Sequence, residues 1–545
     1  MSLTDIFTLA DDYVSAVVEL DPISATSLGM VSSELTDFSP RGAQARLALI
    51  DETLLKLQKL SPANEGDRIA ALVLDERLNA DRDSIIARDY EADLNILACP
   101  VQSIRMVFDI MPLDTDDDKS VWTKRVQAIP ASLLSWQESL SAGLASGNVE
   151  SRRQAQEVSD QCREYANKTY FTPAALDISD EAVLAADVAE EAFLQVAQFL
   201  ADTYLPKARA QDGVGLERYV RSSRKWNGCD IDAQELFDWG WKELDRITER
   251  METVTRQLHP TATIAEIRDI LNTDPRYVIH GEKQIVEFLE KLTAETTAEM
   301  ANKHFDIPDS IRKCDVKLAG AGSAAAPYYM SPSEDLKRPG STWLPTLGSA
   351  EFHTWHLVST WYHEAVPGHH LQVASTVIHR EKLSRFQRTF GWTSGYGEGW
   401  ALYAERLMDE LGYFKDPGYE MGFLCAQALR AARIVVDIGM HCGWSVPTDQ
   451  KWETAGQLID YDFSVDFLQR RALETPEFAQ SETVRYLGIP GQAISYKLGE
   501  RTILATREAA RQRYGDAFDL RKWHAHFLDL GPVGLDTLVV EMASF

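Results

Sequence analysis

The chain has 545 residues, 45% of them hydrophobic, which is ample for a large core. Its 83 acidic residues against 55 basic ones give a formal net charge of -28. That balance argues against nucleic acid or an anionic membrane surface as a partner, because no long-range attraction draws either in.

The six cysteines, at 99, 162, 229, 314, 425 and 442, form no C-x-x-C pair, and their wide, irregular spacing fits neither a thiolate zinc site nor a disulfide framework. Buried thiols in a reducing compartment fit instead. The N-terminal Met1-Ser2-Leu3-Thr4-Asp5-Ile6-Phe7 lacks the basic and apolar regions of a secretory signal. No run of about 18 apolar residues occurs to span a membrane, so the expected location is the cytoplasm. Nothing in the composition fixes the oligomeric state, and a homodimer is compatible with it.

Helical periodicity dominates. Ile6, Leu9, Tyr13, Val17 and Leu20 recur at three- and four-residue steps and predict an amphipathic helix from Thr4 to Leu20. An alanine-rich run predicts another from Ser179 to Tyr204. Asp232 with Glu235, and Thr263 with Glu266, read as capping-box starts of two more, and a further helix runs from Glu282 to Lys303. Between Lys317 and Pro345 the prolines 327, 332, 339 and 345 forbid a long helix. Short strands at Ala326 to Met330 and Ser341 to Leu344 fit better, as a small sheet beside the active site whose edge pairs with an extended peptide. Tyr329 would then face substrate. No β-α alternation, internal repeat or low-complexity linker appears, so the chain reads as one mainly α unit over 1–545, with a catalytic core at about 311–510.

Five of the twelve histidines, His353, His356, His363, His369 and His370, fall within 18 positions. Neutral imidazole is the commonest zinc ligand, and a catalytic site needs about three protein ligands plus a position for water. In H-E-x-x-H the two histidines bind zinc and the Glu acts as general base. Here the position four after His363 is Pro367, whose ring clashes with the His363 carbonyl and breaks the helix. Gly368 then frees the turn, so that His369 swings back toward the metal. His370 remains the competing ligand, because seven residues is nearly two turns of an unbroken helix. Downstream, Glu398 stands where Gly391-Trp392-Thr393-Ser394-Gly395-Tyr396-Gly397 gives way to a helical run, and is the best third ligand. Glu405, seven residues on, reads as a partner behind the ligands.

The run His363-Glu364-Ala365-Val366-Pro367-Gly368-His369-His370, followed by Gly397-Glu398-Gly399-Trp400-Ala401-Leu402-Tyr403-Ala404-Glu405, resembles the bacterial "domain of unknown function 885" family of metallopeptidase-like proteins. The likeness continues at Arg430 to His441, at Arg485-Tyr486 and at Pro490 to Glu500. Through that family the chain is similar to the gluzincins and, more distantly, to angiotensin-converting enzyme and thimet oligopeptidase. The resemblance implies a large helical, two-lobed fold around a deep cleft, with one zinc ion. It implies His363, His369 and Glu398 as ligands and Glu364 as the base. Tyr496 and Tyr486 are candidate donors to the oxyanion, a phenol being a good neutral donor. Arg485 and Lys497 are candidates to hold a substrate carboxylate.

The expected function is therefore zinc-dependent hydrolysis of peptide bonds in oligopeptides, with Glu364 assisting attack by a metal-bound water. The alternatives are a zinc hydrolase of non-peptide amides or esters, and a non-catalytic metal- or peptide-binding protein. Retention of Glu364 counts against the last, since a closed structural site needs four ligands and no base.

Overall fold

A computed structural model of the chain describes residues 4–319, 326–333 and 335–545. Residues 320–325 and 334, in the proline-interrupted stretch, lie outside the described residues, as do 1–3. The fold is mainly α, with two small sheets among the described residues.

The sequence reads as one unit, whereas the chain divides into two compact ones. One comprises Met1–Ser222 with two short returns, Met440–Cys442 and Glu482–Pro490; the other comprises Ser223–Gly439, Gly443–Ser481 and Gly491–Phe545. The expected core at 311–510 thus mixes segments of both. A chain that changes unit several times carries no single linker, so composition leaves no boundary to read.

In the first unit the helix Asp5–Leu20 starts as its pattern predicts, with Thr4 accepting from the Phe7 amide. The alanine-rich helix spans Asp180–Phe199, capped by Ser179, and ends in one π-helical turn, Leu200–Tyr204. Its small side chains pack into a core that includes Trp122, Trp136, Phe171 and Phe193. Phe108, Phe171 and Phe193 meet edge-on or stacked at 5.4–5.8 Å.

In the second unit Asp232 caps the helix Ala233–Leu258, and the reciprocal Thr263–Glu266 box opens Ile264–Thr273. The helix from Glu282 ends at Met300. Among the described residues the strands are, in chain order, β1 (Val278–His280), before that helix, then β2 (Cys314–Ala319), β3 (Tyr328–Met330), β4 (Gly340–Pro345) and β5 (Glu351–His353). β1 pairs antiparallel with β5, and a three-stranded sheet runs in the order β2-β4-β3, with β2 parallel to β4 and β3 antiparallel to it. The pairing of β1 with β5 escapes the periodicity, because three residues are too few to alternate. Ile285, Leu289, Leu344, Phe352, Leu357 and Trp361 form the core that seats the strands against the helix Thr354–Glu364.

Candidate metal centre

The site lies wholly in the second unit. The helix Thr354–Glu364 ends as Pro367 requires, the chain reverses through Ala365 to Gly368, and a new helix starts at His369 and runs to Ile378. The reversal is tight. A Cβ on Gly368 would lie 1.9 Å from the His363 carbonyl oxygen, so only glycine fits. Trp400 fixes the turn from outside, its indole donating to the Pro367 carbonyl at 2.9 Å.

The turn sets His363 and His369 face to edge, ring centroids 4.8 Å apart. The helix Ser394–Glu410 supplies Glu398, whose Oε2 lies 3.3 Å from His363 Nε2 and 3.4 Å from His369 Nε2. Donor atoms bound at about 2.0–2.1 Å around a tetrahedral centre stand about 3.3–3.4 Å from one another. The spacing therefore suits one small divalent ion, and two imidazoles with one carboxylate are a zinc-type donor set. Glu364 is 8% exposed, and His363, Glu364 and His369 each place a donor atom within 4.8 Å of the other two.

His370 points elsewhere. Its Nε2 meets the Ile311 carbonyl at 2.8 Å and its Nδ1 meets the Tyr329 hydroxyl at 3.1 Å, so neither nitrogen is spare for the centre. Gly340 leaves room for that contact, since a Cβ there would strike both Tyr329 and His370.

Behind the donors, Glu405 Oε1 sits 2.8 Å from His363 Nδ1, and the Ser359 hydroxyl donates to its other oxygen. A carboxylate in that place fixes the ring and raises its basicity. His369 Nδ1 is buried without a hydrogen-bond partner among the described residues.

The electrostatics follow. Burial disfavours the imidazolium of His363, but its bonds to Glu398 and Glu405 win, and its pKa is pushed up to about 9. Burial raises Glu398, yet its two histidine partners bring it well below the usual carboxylate range. Burial raises Glu364, and the two histidines offset only part of that. A cluster that draws a proton onto His363 is rich in negative charge, the condition under which a cation also binds.

Tyr496 joins through a close helix crossing. Gly395 and Gly399 face Gly499 of the helix Ser495–Tyr514, and a Cβ on Gly399 would lie 2.5 Å from the Gly499 Cα. The Tyr496 ring stacks on His363 at 6.2 Å. The Arg433 guanidinium lies 4.4 Å from the centre of that ring and Arg430 lies 5.8 Å from it. Periodicity gave no notice of these two arginines; they stand in the motif-bearing Arg430 to His441 run, and only their burial on the helix Pro417–Cys442 marks them.

The other expected residues are engaged by partners of their own. Lys497 is fully buried, with its three donors spent on Glu243, Gln427 and Glu500, so it has none for a substrate carboxylate. Arg485 makes a two-pronged ion pair with Glu482, and the Tyr486 hydroxyl donates to the same carboxylate at 2.6 Å. Both belong to the first unit, not to the unit that holds the centre. Tyr329 reaches His370 rather than His363 or His369.

Fold and site together define a mainly helical protein in which two buried histidines and one partly buried glutamate form a possible donor set, with a second glutamate adjacent. The chain belongs to the family described as "Bacterial protein of unknown function (DUF885)", whose profile matches residues 22–542. It is similar to a solved structure described as a "putative lipoprotein from Colwellia psychrerythraea", at 22% identity and a TM-score of 0.85, covering 99% of this chain and 98% of that one. A second, a "putative lipoprotein of unknown function from Shewanella oneidensis", is 18% identical with a TM-score of 0.76, covering 99% of this chain and 100% of that one. At those identities the likeness concerns the fold. No curated protein matches the chain significantly. No helix among the described residues is long and apolar enough to cross a membrane.

Proposed function

We propose that this protein is a zinc-dependent peptidase that hydrolyses peptide bonds in oligopeptides. The supporting observation is that Glu398 Oε2 lies 3.3 Å from His363 Nε2 and 3.4 Å from His369 Nε2, beside Glu364. Zinc held there would polarise the scissile carbonyl and acidify water.

The chain's own groups do the rest. Glu364, next in sequence to one ligand and buried, takes a proton from the attacking water and returns it to the leaving amine. Its burial favours the protonated form, which suits a group that must also act as an acid. Glu405 holds the His363 ring through Nδ1 and leaves Nε2 facing the centre. Tyr496 donates to the developing oxyanion, and the guanidinium over its ring strengthens the phenol as a donor. Restriction to oligopeptides follows the analogy with deep-cleft helical peptidases. We also propose that the protein works in the cytoplasm, where its six free cysteines stay reduced; fractionation of the native host decides between this and an envelope location.

The test is metal content together with hydrolysis of a quenched oligopeptide library by wild type and Glu364→Gln. Near-stoichiometric zinc, with cleavage lost in the variant, is the expected result. Zinc with no peptide cleaved would turn the reading toward another amide or ester, and failure to bind zinc at all would end it.

A further inference from the structure

Charged side chains in this protein's interior are mostly matched. Arg507 forms a two-pronged pair with Glu410, Arg471 meets Glu453 and Asp245, and Arg406 meets Glu500. Arg430 differs. It is 9% exposed, and its Nη1 donates to the Ala426 carbonyl of its own helix at 3.3 Å. Its Nε is buried without a hydrogen-bond partner among the described residues. The edge formed by Nε and Nη2 is the one that grips a carboxylate side-on through two parallel bonds. An unmatched buried guanidinium is costly, and the more conspicuous in a chain of net charge -28.

Its position ties it to the metal centre. The guanidinium lies 5.8 Å from the centre of the Tyr496 ring, which stacks on His363 at 6.2 Å. Its charge is felt by both Glu364 and Glu405.

We infer that Arg430 anchors a carboxylate of the substrate through its free Nε–Nη2 edge, so that the centre prefers peptides carrying a free carboxylate near the scissile bond. The reaction rests on the peptidase reading above, while the binding preference does not. The role that Arg485 and Lys497 were expected to fill thus falls to a residue on a different helix. A carboxylate at this edge comes from the peptide's C-terminus or from an Asp or Glu side chain, and both are the same ligand chemically. Arg433 plays a different part, covering the Tyr496 ring.

The experiment uses one mixed-sequence oligopeptide library in two isotopically distinguishable halves, free acid and C-terminal amide. Zinc-loaded full-length Glu364→Gln protein retains peptides on an ultrafiltration membrane, and mass spectrometry reads the bound ratio; wild type is assayed for cleavage alongside. The expected result is at least tenfold enrichment of carboxylate-bearing peptides, falling to within twofold of parity in Glu364→Gln/Arg430→Gln. Enrichment by C-terminus, or by Asp and Glu content within the amide half, tells which carboxylate is held. Arg430→Lys, which keeps the charge without the two-pronged edge, keeps part of the enrichment and stands in if the glutamine variant misfolds. Absence of enrichment, or enrichment that survives Arg430→Gln, overturns the inference. So does equal loss of acid and amide binding, which would assign Arg430 to balancing Glu364 and Glu405. Enrichment without any cleavage by wild type fails the peptidase reading and leaves this one standing; cleavage with no enrichment does the reverse.

Discussion

Glu405 and Arg406 are neighbours in sequence, yet they serve two buried charge clusters of opposite character. Around Arg406 the charges close on one another: Lys497 meets Glu243, Gln427 and Glu500, while Arg406 meets Glu500 and Gln427. The charged groups are matched, only the Gln427 amide nitrogen lacking a partner among the described residues, and Glu243 is held down to about 2, its burial outweighed by Arg246 and Lys497. Around Glu405 the carboxylates and imidazoles converge instead, three acceptor-capable atoms facing a common point with no lysine or arginine between them. The first cluster closes on cations that the chain itself supplies, whereas the second gathers its carboxylates around imidazoles. Burial alone thus does not single out the candidate site; the excess of acceptors over donors does.

That contrast can be broken in order of effect. Glu364→Gln is expected to lower peptide hydrolysis by about 10²–10⁴-fold with zinc content unchanged, the range for removing a general acid–base. Cleavage and metal analysis on the same sample check it; loss of metal together with activity would make Glu364 a ligand instead. In the closed cluster, Lys497→Met removes the fully buried cation shared by Glu243 and Glu500, which keep only Arg246 and Arg406. It is expected to cost about 3–5 kcal/mol of stability, read by denaturant unfolding, with the zinc affinity of surviving folded protein unchanged. Should Lys497→Met leave stability intact but weaken peptide binding, Lys497 would return to the substrate site.

Glu405→Gln sharpens the open side. It is expected to weaken zinc binding by about 10–100-fold in a chelator competition, while leaving the fold. An unchanged affinity would reduce Glu405 to a packing partner.

The smallest effect compares histidines. His524 is buried between the His304 carbonyl and the Tyr403 hydroxyl, and burial pushes its pKa down to about 3. A folded pKa below the unfolded value of about 6.5 means that the unfolded chain takes up the proton first. Stability from this residue is therefore present above about pH 6.5 and lost as pH falls toward 3. Denaturation between pH 6.5 and 5 is expected to show a loss of about 1.4 kcal/mol per pH unit for His524, which His524→Asn removes. His441, pushed down to about 3 in the other unit, adds a similar slope.

Some of this was legible in the sequence. Thr4, Asp232 and Thr263 marked helix starts because a cap is a local bond. Pro367-Gly368 marked the break that lets His369 follow His363 into one site, because that clash is local too. Lys497 misled, since charge in a sequence reads as solvated or substrate-facing, and only packing reveals Glu243 and Gln427 from distant helices around it. Arg430 was overlooked for the converse reason: an unpartnered Nε beside the Tyr496 ring is a matter of packing, and no spacing rule records that.

The sequence by itself determined the helical class, the helix starts, the break before His369 and the residue types offered to a metal, all set by forces acting within a few residues. Only the tertiary structure decided that His369 faces Glu398 while His370 turns to Ile311 and Tyr329. It alone brought Tyr496 against His363, through the contact of Gly399 with Gly499. Those outcomes depend on which helices can approach closely, and the backbone separation that permits it is a property of the packed chain.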